Sequence, residues 1–291
     1  VIGHAITAEI VETGSGVTEL SVGDPVTAYY YLTCGTCVWC QTGRETLCDN
    51  LAGNVGRDLD GGYADYIKLP FNSFIKLPEG LDHKSNPAEI GVVTDAIATP
   101  LKLINKARIQ PGESVTVIGA GGGLGIQMIA VAKWAKAQVI AVDVRPEKFD
   151  TCRDAGADKT VDVSDVDLAD VLIELTGGKG TDVVIDFVAN EKTLEGAARA
   201  LGKGGRLVIL GGGGMPNPFS ISGNWIKGGE REILGNKYAS RAEVREALDI
   251  VARGELWPIV TETCALENVE EFHQRLENGL VIGRAAVLIN P

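Results

Sequence analysis

The sequence predicts an α/β protein, a doubly wound parallel sheet joined to a second, β-rich domain. Three observations lead there. Residues 98–235 alternate short apolar runs with helical stretches, while residues 1–97 are rich in Val, Tyr and Thr punctuated by Gly and Pro. Between strand and helix near the middle stands a glycine-rich turn, VIGAGGGLG. The 291 residues are enough for two cores.

In chain order, EIVETGSGV, GDPVTAYYY and GGYADYIKLP read as strands and turns, and His4 falls in the first strand of that region. SVTVIG is then a buried strand, GLGIQMIAVAKWAK an apolar helix and QVIAVDV a second strand. PEKFDTCRDAG is an amphipathic helix that Pro146 starts and Gly156 ends. TDVVIDFV and GRLVILGG are further strands, separated by the helical EKTLEGAARAL. Apolar strands alternating with helices fit a parallel sheet covered on both faces. Residues 236–291 hold the helix AEVREALDIVARG, the strand TETCAL, the helix NVEEFHQRLENG and the strand RAAVLIN, a tail that returns to the first domain.

Bulk charge narrows the partners. The net charge of −12 repels phosphate backbones and anionic lipid, so neither nucleic acid nor membrane is expected as a partner. The most apolar run, Val117–Ala132, is interrupted by glycines and too broken to span a bilayer. No secretory leader pattern is visible, and a cytoplasmic location is expected. Six cysteines in a long chain of this kind point to metal binding more than to a disulfide scaffold.

Four of the six lie in CGTCVWCQTGRETLC, which sets Cys34, Cys37, Cys40 and Cys48 in a C-x2-C-x2-C-x7-C array. Such spacing lets a loop fold back and close four thiolates around one Zn2+. With cysteine at every vertex, no position remains for water or substrate, so the metal would be structural. Two disulfides, free thiols or an iron–sulfur cluster are the alternatives. Cys152 and Cys264 read as core or near-core thiols.

The glycine turn carries the second chemistry. Gly119, Gly122 and Gly125 form G-x-x-G-x-x-G, one residue longer in the turn than G-x-G-x-x-G, with Gly123 and Leu124 between the last two. Glycines there let backbone approach a pyrophosphate, and the helix N-terminus supplies N–H donors and a positive dipole end. Asp143 ends the next strand, where its carboxylate would accept from ribose hydroxyls and repel a 2′-phosphate; NAD is therefore expected over NADP. A tight turn that binds nothing is the plainer alternative.

Taken together, GHAITAEIVETGSGV, GDPVTAYYY, the cysteine array, DGGYADYIKLP, TDAIATPLKLI, VIGAGGGLG, AVDVRPEK, TDVVIDFVANEKTLEGA and GRAAVLI resemble the zinc-dependent, medium-chain alcohol dehydrogenase family over the whole chain. The resemblance implies a Rossmann domain for residues 98–235. It implies a GroES-like catalytic domain for residues 1–97, completed by 236–291. It makes His4 and Asp95 catalytic-zinc ligands, with a third ligand and the proton-relay groups in a segment upstream of Val1. The chain thus reads as an N-terminally truncated, impaired member. Ala5 replaces the glutamate of the family's GHE motif, removing an acid near the metal. By the same resemblance Lys148 lies beside the adenosine ribose, Thr99 and Leu124 near the nicotinamide, Gly211 and Gly212 in the turn lining it, and Arg284 on the pyrophosphate. His83 and His273 match no motif and read as surface or packing residues; the four tryptophans read as core or interface residues.

The implied reaction is hydride transfer between a primary or secondary alcohol, or the matching aldehyde or ketone, and NAD. Zn2+ would be structural, and catalytic only if the site is completed. A homodimer or homotetramer is implied as well. Two rivals stand beside this reading: a zinc-independent quinone or enoyl reductase of the same superfamily, and a non-catalytic NAD-binding protein.

Overall fold

The computed structural model describes residues 1–212 and 218–289. Within it the chain forms two compact units, Val1–Thr99 with Tyr238–Pro291, and Pro100–Lys237.

The first unit begins with short strands. β1 (Thr7–Glu9), β2 (Pro25–Ala28) and, later, β5 (Phe74–Lys76) make an antiparallel sheet in the order β1-β2-β5. β3 (Tyr31–Leu32) pairs with β4 (Gly53–Asn54), and the one-turn helix α1 (Val38–Gln41) lies between them in the cysteine lobe. Ile6, Ala28 and Val55 are buried together, with Leu32, Ile67, Leu69 and Phe74 packed around them. α2 (Pro87–Ala96) then starts at a proline, whose missing N–H costs nothing at a helix N-terminus.

Two expectations need correction in this unit. His4 precedes β1 rather than lying in a strand. The GGYADYIKLP run is not a strand either: Gly61, Gly62 and Tyr63 donate their amides to the carbonyls of Val1, Gly3 and Ile2, at 2.8–3.0 Å. Gly3 is at φ +96° there, and a Cβ on it would meet the Tyr63 ring, so the approach is too irregular for a regular ladder.

The chain passes into the second unit along α3 (Ala98–Ala107). β6 (Ser114–Ile118), α4 (Gly125–Trp134), β7 (Gln138–Asp143), α5 (Phe149–Asp154), β8 (Lys159–Asp162), α6 (Leu168–Leu175), β9 (Thr181–Asp186), α7 (Glu191–Ala200), β10 (Leu201–Ile209), α8 (Gly223–Gly229) and β11 (Glu232–Gly235) follow. The six strands form one parallel sheet in the order β11-β10-β9-β6-β7-β8. Strand order reverses between β6 and β9. The crevice at the carboxyl ends of such a pair is where open α/β sheets take their ligands.

Burial explains the composition. Ile118, Ile140, Val142, Leu172, Val184, Leu201 and Leu207 share one core, and α4 is buried along most of its length. That is why its sequence is apolar on nearly every side. Of the four tryptophans expected in core or interface roles, Trp134, Trp225 and Trp257 are 37%, 38% and 46% exposed and so lie outside the core.

α9 (Arg241–Ala252), β12 (Val260–Ala265), α10 (Val269–Glu277) and β13 (Arg284–Leu288) return to the first unit. β12 and β13 pair in parallel, and α9 packs on α2. No helix among the described residues is long and apolar enough to cross a membrane.

Candidate functional site

The glycine turn sits where β6 gives way to α4. Gly119 adopts φ +76°, a conformation open to glycine and costly for other residues, and its amide, like that of Ala120, donates to the carbonyl of Val142. Gly125 is fixed by closeness rather than by φ: a Cβ there would collide with the Gly119 carbonyl. Gly122 donates to that same carbonyl at 3.1 Å, and Ile126 donates to Gly122. Gly123 and Leu124 complete the turn, and no side chain caps the N-terminus of α4. With no side-chain cap, the start of α4 presents the positive end of its dipole to the crevice, the arrangement that suits a pyrophosphate.

Asp143 ends β7 beside this turn. Its Oδ2 accepts from the Gly121 amide at 2.9 Å, and its Oδ1 from Val144 and Arg145 at 2.8 and 3.2 Å. A carboxylate offers about four lone-pair sites, so acceptor capacity remains for a ribose hydroxyl. Lys148 is only 8% exposed, not a solvated helix-face lysine, and its alkyl chain fills the space a Cβ on Gly121 would need. The stem of the lysine and the glycine thus require one another.

Sequence reasoning missed the residue that organises the other side of the crevice. Asp186, at the end of β9, is fully buried. Its Oδ1 accepts from Val188 and Ala189 at 2.9 and 2.8 Å, and its Oδ2 from the Thr193 hydroxyl at 2.7 Å. Its carbonyl accepts from Leu210 and Gly211, while Phe187 donates to Ile118. Asp186 and Phe187 together thereby tie the carboxyl ends of β6, β9 and β10. Ala189 is held at φ +50° and Val188 packs near Gly119. Burial pushes the Asp186 pKa up, opposed by the Ala189 amide, the Thr193 hydroxyl and the Val188 amide. Gly211 runs so close to Phe187 that a Cβ would strike its carbonyl, and Gly212 adopts φ +78°. A buried acid ending an apolar strand, TDVVID, was the available signal.

In the first unit the four cysteine sulfurs lie within 4.8 Å of one another. The separations are 3.5 Å for Cys37–Cys40, 3.6 Å for Cys34–Cys48 and 3.9 Å for Cys34–Cys40. A tetrahedron with Zn–S bonds of about 2.3 Å has S···S edges of about 3.8 Å. A disulfide needs about 2.05 Å. The cage therefore matches zinc. The Cys34 pKa is lowered to about 5 by the amides of Thr36 and Cys37, and that of Cys37 is lowered chiefly by the Cys40 amide. Burial pushes Cys40 up to about 12.

His4, Asp95, Thr99 and Arg284 also belong to the first unit. Arg284 Nη2 bonds Asp95 Oδ2 at 2.8 Å, and the Thr99 hydroxyl donates to Asp95 Oδ1 at 3.3 Å. His4 packs edge-on to Tyr30 at 4.9 Å, and its buried Nδ1 has no hydrogen-bond partner. Burial lowers the His4 pKa, with Asp95 opposing and Arg284 adding to the shift, so the ring is neutral near pH 7. Two donors fall short of the three protein ligands of a catalytic zinc, and among the described residues no third acid, cysteine or histidine groups with them. Asp95 is engaged by Arg284 as well, so in this structure a guanidinium holds its carboxylate. Arg284 was expected on a pyrophosphate; here its partner is Asp95. His83 pairs with Glu9, and His273 meets the Tyr63 hydroxyl at 3.3 Å, both packing roles.

Residues 1–79 match the alcohol dehydrogenase GroES-like domain, and residues 123–253 match the zinc-binding dehydrogenase domain. An alcohol dehydrogenase of Geobacillus stearothermophilus is 35% identical over 286 residues, spanning 97% of this chain and 80% of its own. The NAD-dependent alcohol dehydrogenase of Sulfurisphaera tokodaii is 32% identical over 289 residues, spanning 99% and 81%. Among solved structures, the alcohol dehydrogenase of the hyperthermophilic archaeon Aeropyrum pernix superposes with a TM-score of 0.87 at 32% identity, over 98% of this chain and 81% of that one.

Proposed function

Because the chain belongs to the zinc-type medium-chain alcohol dehydrogenase family, we propose that it transfers hydride between a primary or secondary alcohol, or the matching carbonyl compound, and NAD. The observation that carries this reading is the glycine turn at the reversal point of the parallel sheet, with Asp143 closing it. Bound there, NAD would supply the hydride acceptor. The end of the turn at the start of α4 would hold the pyrophosphate by backbone N–H groups, and Asp143 would accept from the adenosine ribose. Lys148 braces the turn, and Gly211 and Gly212 shape the wall that Asp186 fixes.

On the substrate side we assign His4 and Asp95. Their support is their place in the family's site motifs and a His4 imidazole whose Nδ1 has no hydrogen-bond partner. Arg284 and Thr99 hold the Asp95 carboxylate for that role. We also assign Cys34, Cys37, Cys40 and Cys48 to one structural zinc. An assembly of two or four copies and a cytoplasmic location complete the proposal.

Calorimetry with NAD and NADP, followed by alcohol-dependent NADH formation, tests it. NAD should bind more tightly than NADP, and the protein should reduce it with an alcohol. Absence of binding by either coenzyme contradicts the proposal. The Asp95–Arg284 pair favours a second reading, a reductase of conjugated carbonyls that needs no catalytic metal. That reading gains if NADH is consumed with an enone while every alcohol is inert.

A further inference from the structure

The cysteine lobe carries one acid that metal binding does not use. Glu45 lies in the short 3-10 turn Glu45–Leu47, between Cys40 and Cys48, and is 6% exposed. Its Oε1 accepts from the backbone amide of Arg241 at 2.7 Å. Arg241 is the first residue of α9, and Ser240 caps that helix through the Glu243 amide. A helix start leaves several N–H groups without intrahelical partners, and a carboxylate placed there also meets the positive end of the dipole.

Around this bond the packing is closed on several sides. The Arg241 guanidinium stacks over the Tyr29 ring at 4.5 Å and donates to the Asn72 carbonyl. The Tyr29 hydroxyl donates to Ala239 at 2.9 Å, two residues before α9. Thr46 is buried beside Glu45. Glu45 Oε2 is buried with no hydrogen-bond partner, so little solvent compensates the carboxylate. Such a group is tolerable only while its geometry is held, and its own turn is held by the chain running from Cys40 to Cys48.

We infer that Glu45 is a strut coupling the metal state of the four-cysteine lobe to the first turn of α9, and through α9 to α2, on which that helix packs and which carries Asp95. The inference rests on the structural-zinc assignment. Zinc fixes the sulfurs, the sulfurs fix the turn, and the turn presents Glu45 to the Arg241 amide. Losing the ion would free the turn and leave that amide without its acceptor. By linkage, losing the acceptor would in turn weaken zinc retention.

Hydrogen exchange measured by mass spectrometry, with zinc counted per chain, tests this on the whole protein. Chelation that removes zinc should accelerate exchange in the lobe and also in the peptide 239–245, the latter by about tenfold. Glu45→Ala should accelerate the same peptide with zinc still bound, and should lower zinc affinity by about tenfold against a chromophoric chelator. Glu45→Gln retains a carbonyl acceptor and should stay near wild type in both readouts. Should Glu45→Ala fail to fold, chelation of the wild type and of Glu45→Gln still decides the matter. Zinc loss that speeds the lobe but leaves 239–245 unchanged overturns the strut. A folded Glu45→Ala with unaltered exchange there also overturns it. Protein that never retains zinc removes the metal assignment itself, a result that the metal count separates from failure of the strut.

Discussion

At the scale of single residues, Asp186 and Asp143 do different work with the same side chain. Asp143 sits at a strand end with acceptor capacity to spare, so its value lies in what it can still bind. Replacing it by Ala should weaken NAD binding by about tenfold or more and narrow the gap to NADP, as titration calorimetry would show. Asp186 accepts as many bonds but is fully buried, so its oxygens face only its own chain. Asp186→Ala would strand the Val188 and Ala189 amides and should cost roughly 2–4 kcal/mol in urea unfolding. Asp186→Asn keeps an acceptor for those amides and should cost far less near pH 7. The pH dependence has a definite sign. Burial holds the folded-state pKa of Asp186 above that of an unfolded aspartate. Stability from this group is therefore present at low pH and is lost as pH rises through the window between the two values. Wild type minus Asp186→Asn should fall with rising pH across that window and then level off; a difference that grows with pH would contradict the assignment. Gly125→Ala has no such subtlety: its methyl would meet the Gly119 carbonyl, with an expected cost of roughly 1–3 kcal/mol and a loss of NAD affinity.

At the scale of elements, the cysteine lobe and the βα turn were legible in the sequence because each is a local pattern. Spacing alone placed four sulfurs in one loop, and strand–turn–helix–strand–acid placed the crevice between β6 and α4. What local pattern could not show is contact across long separations. Glu45 meets Arg241 and Arg284 meets Asp95 only because the chain returns to its first unit after Lys237. The GGYADYIKLP run misled for a related reason: it reads as a strand, but its amides serve the irregular backbone at Val1–Gly3. One prediction belongs at this scale. Cys37→Ser should remove the lobe's zinc, about one ion per chain, and loosen exchange across 32–52 while the β6–β7 pair stays protected. Retention of a full zinc complement in that variant would refute the four-sulfur cage.

At the scale of the molecule, a parallel sheet covered by helices follows from the alternation of apolar strands and helices along the chain, whereas the strand order was not legible there. The substrate side was the least legible part. His4 and Asp95 were found by resemblance to a metal-binding motif, yet the structure gives Asp95 a guanidinium partner and leaves His4 half-buried with its Nδ1 unpartnered. Hydride transfer asks of the protein a gripped dinucleotide, an oriented alcohol and a path for one proton. The glycine turn and Asp143 suit the first. The most direct test of the whole account uses an alcohol deuterated at its carbinol carbon, incubated with the protein and NAD, with the coenzyme then examined by mass spectrometry. The account predicts that deuterium appears in the reduced nicotinamide ring. Unlabelled, unreduced NAD recovered from protein shown to bind it would contradict the account.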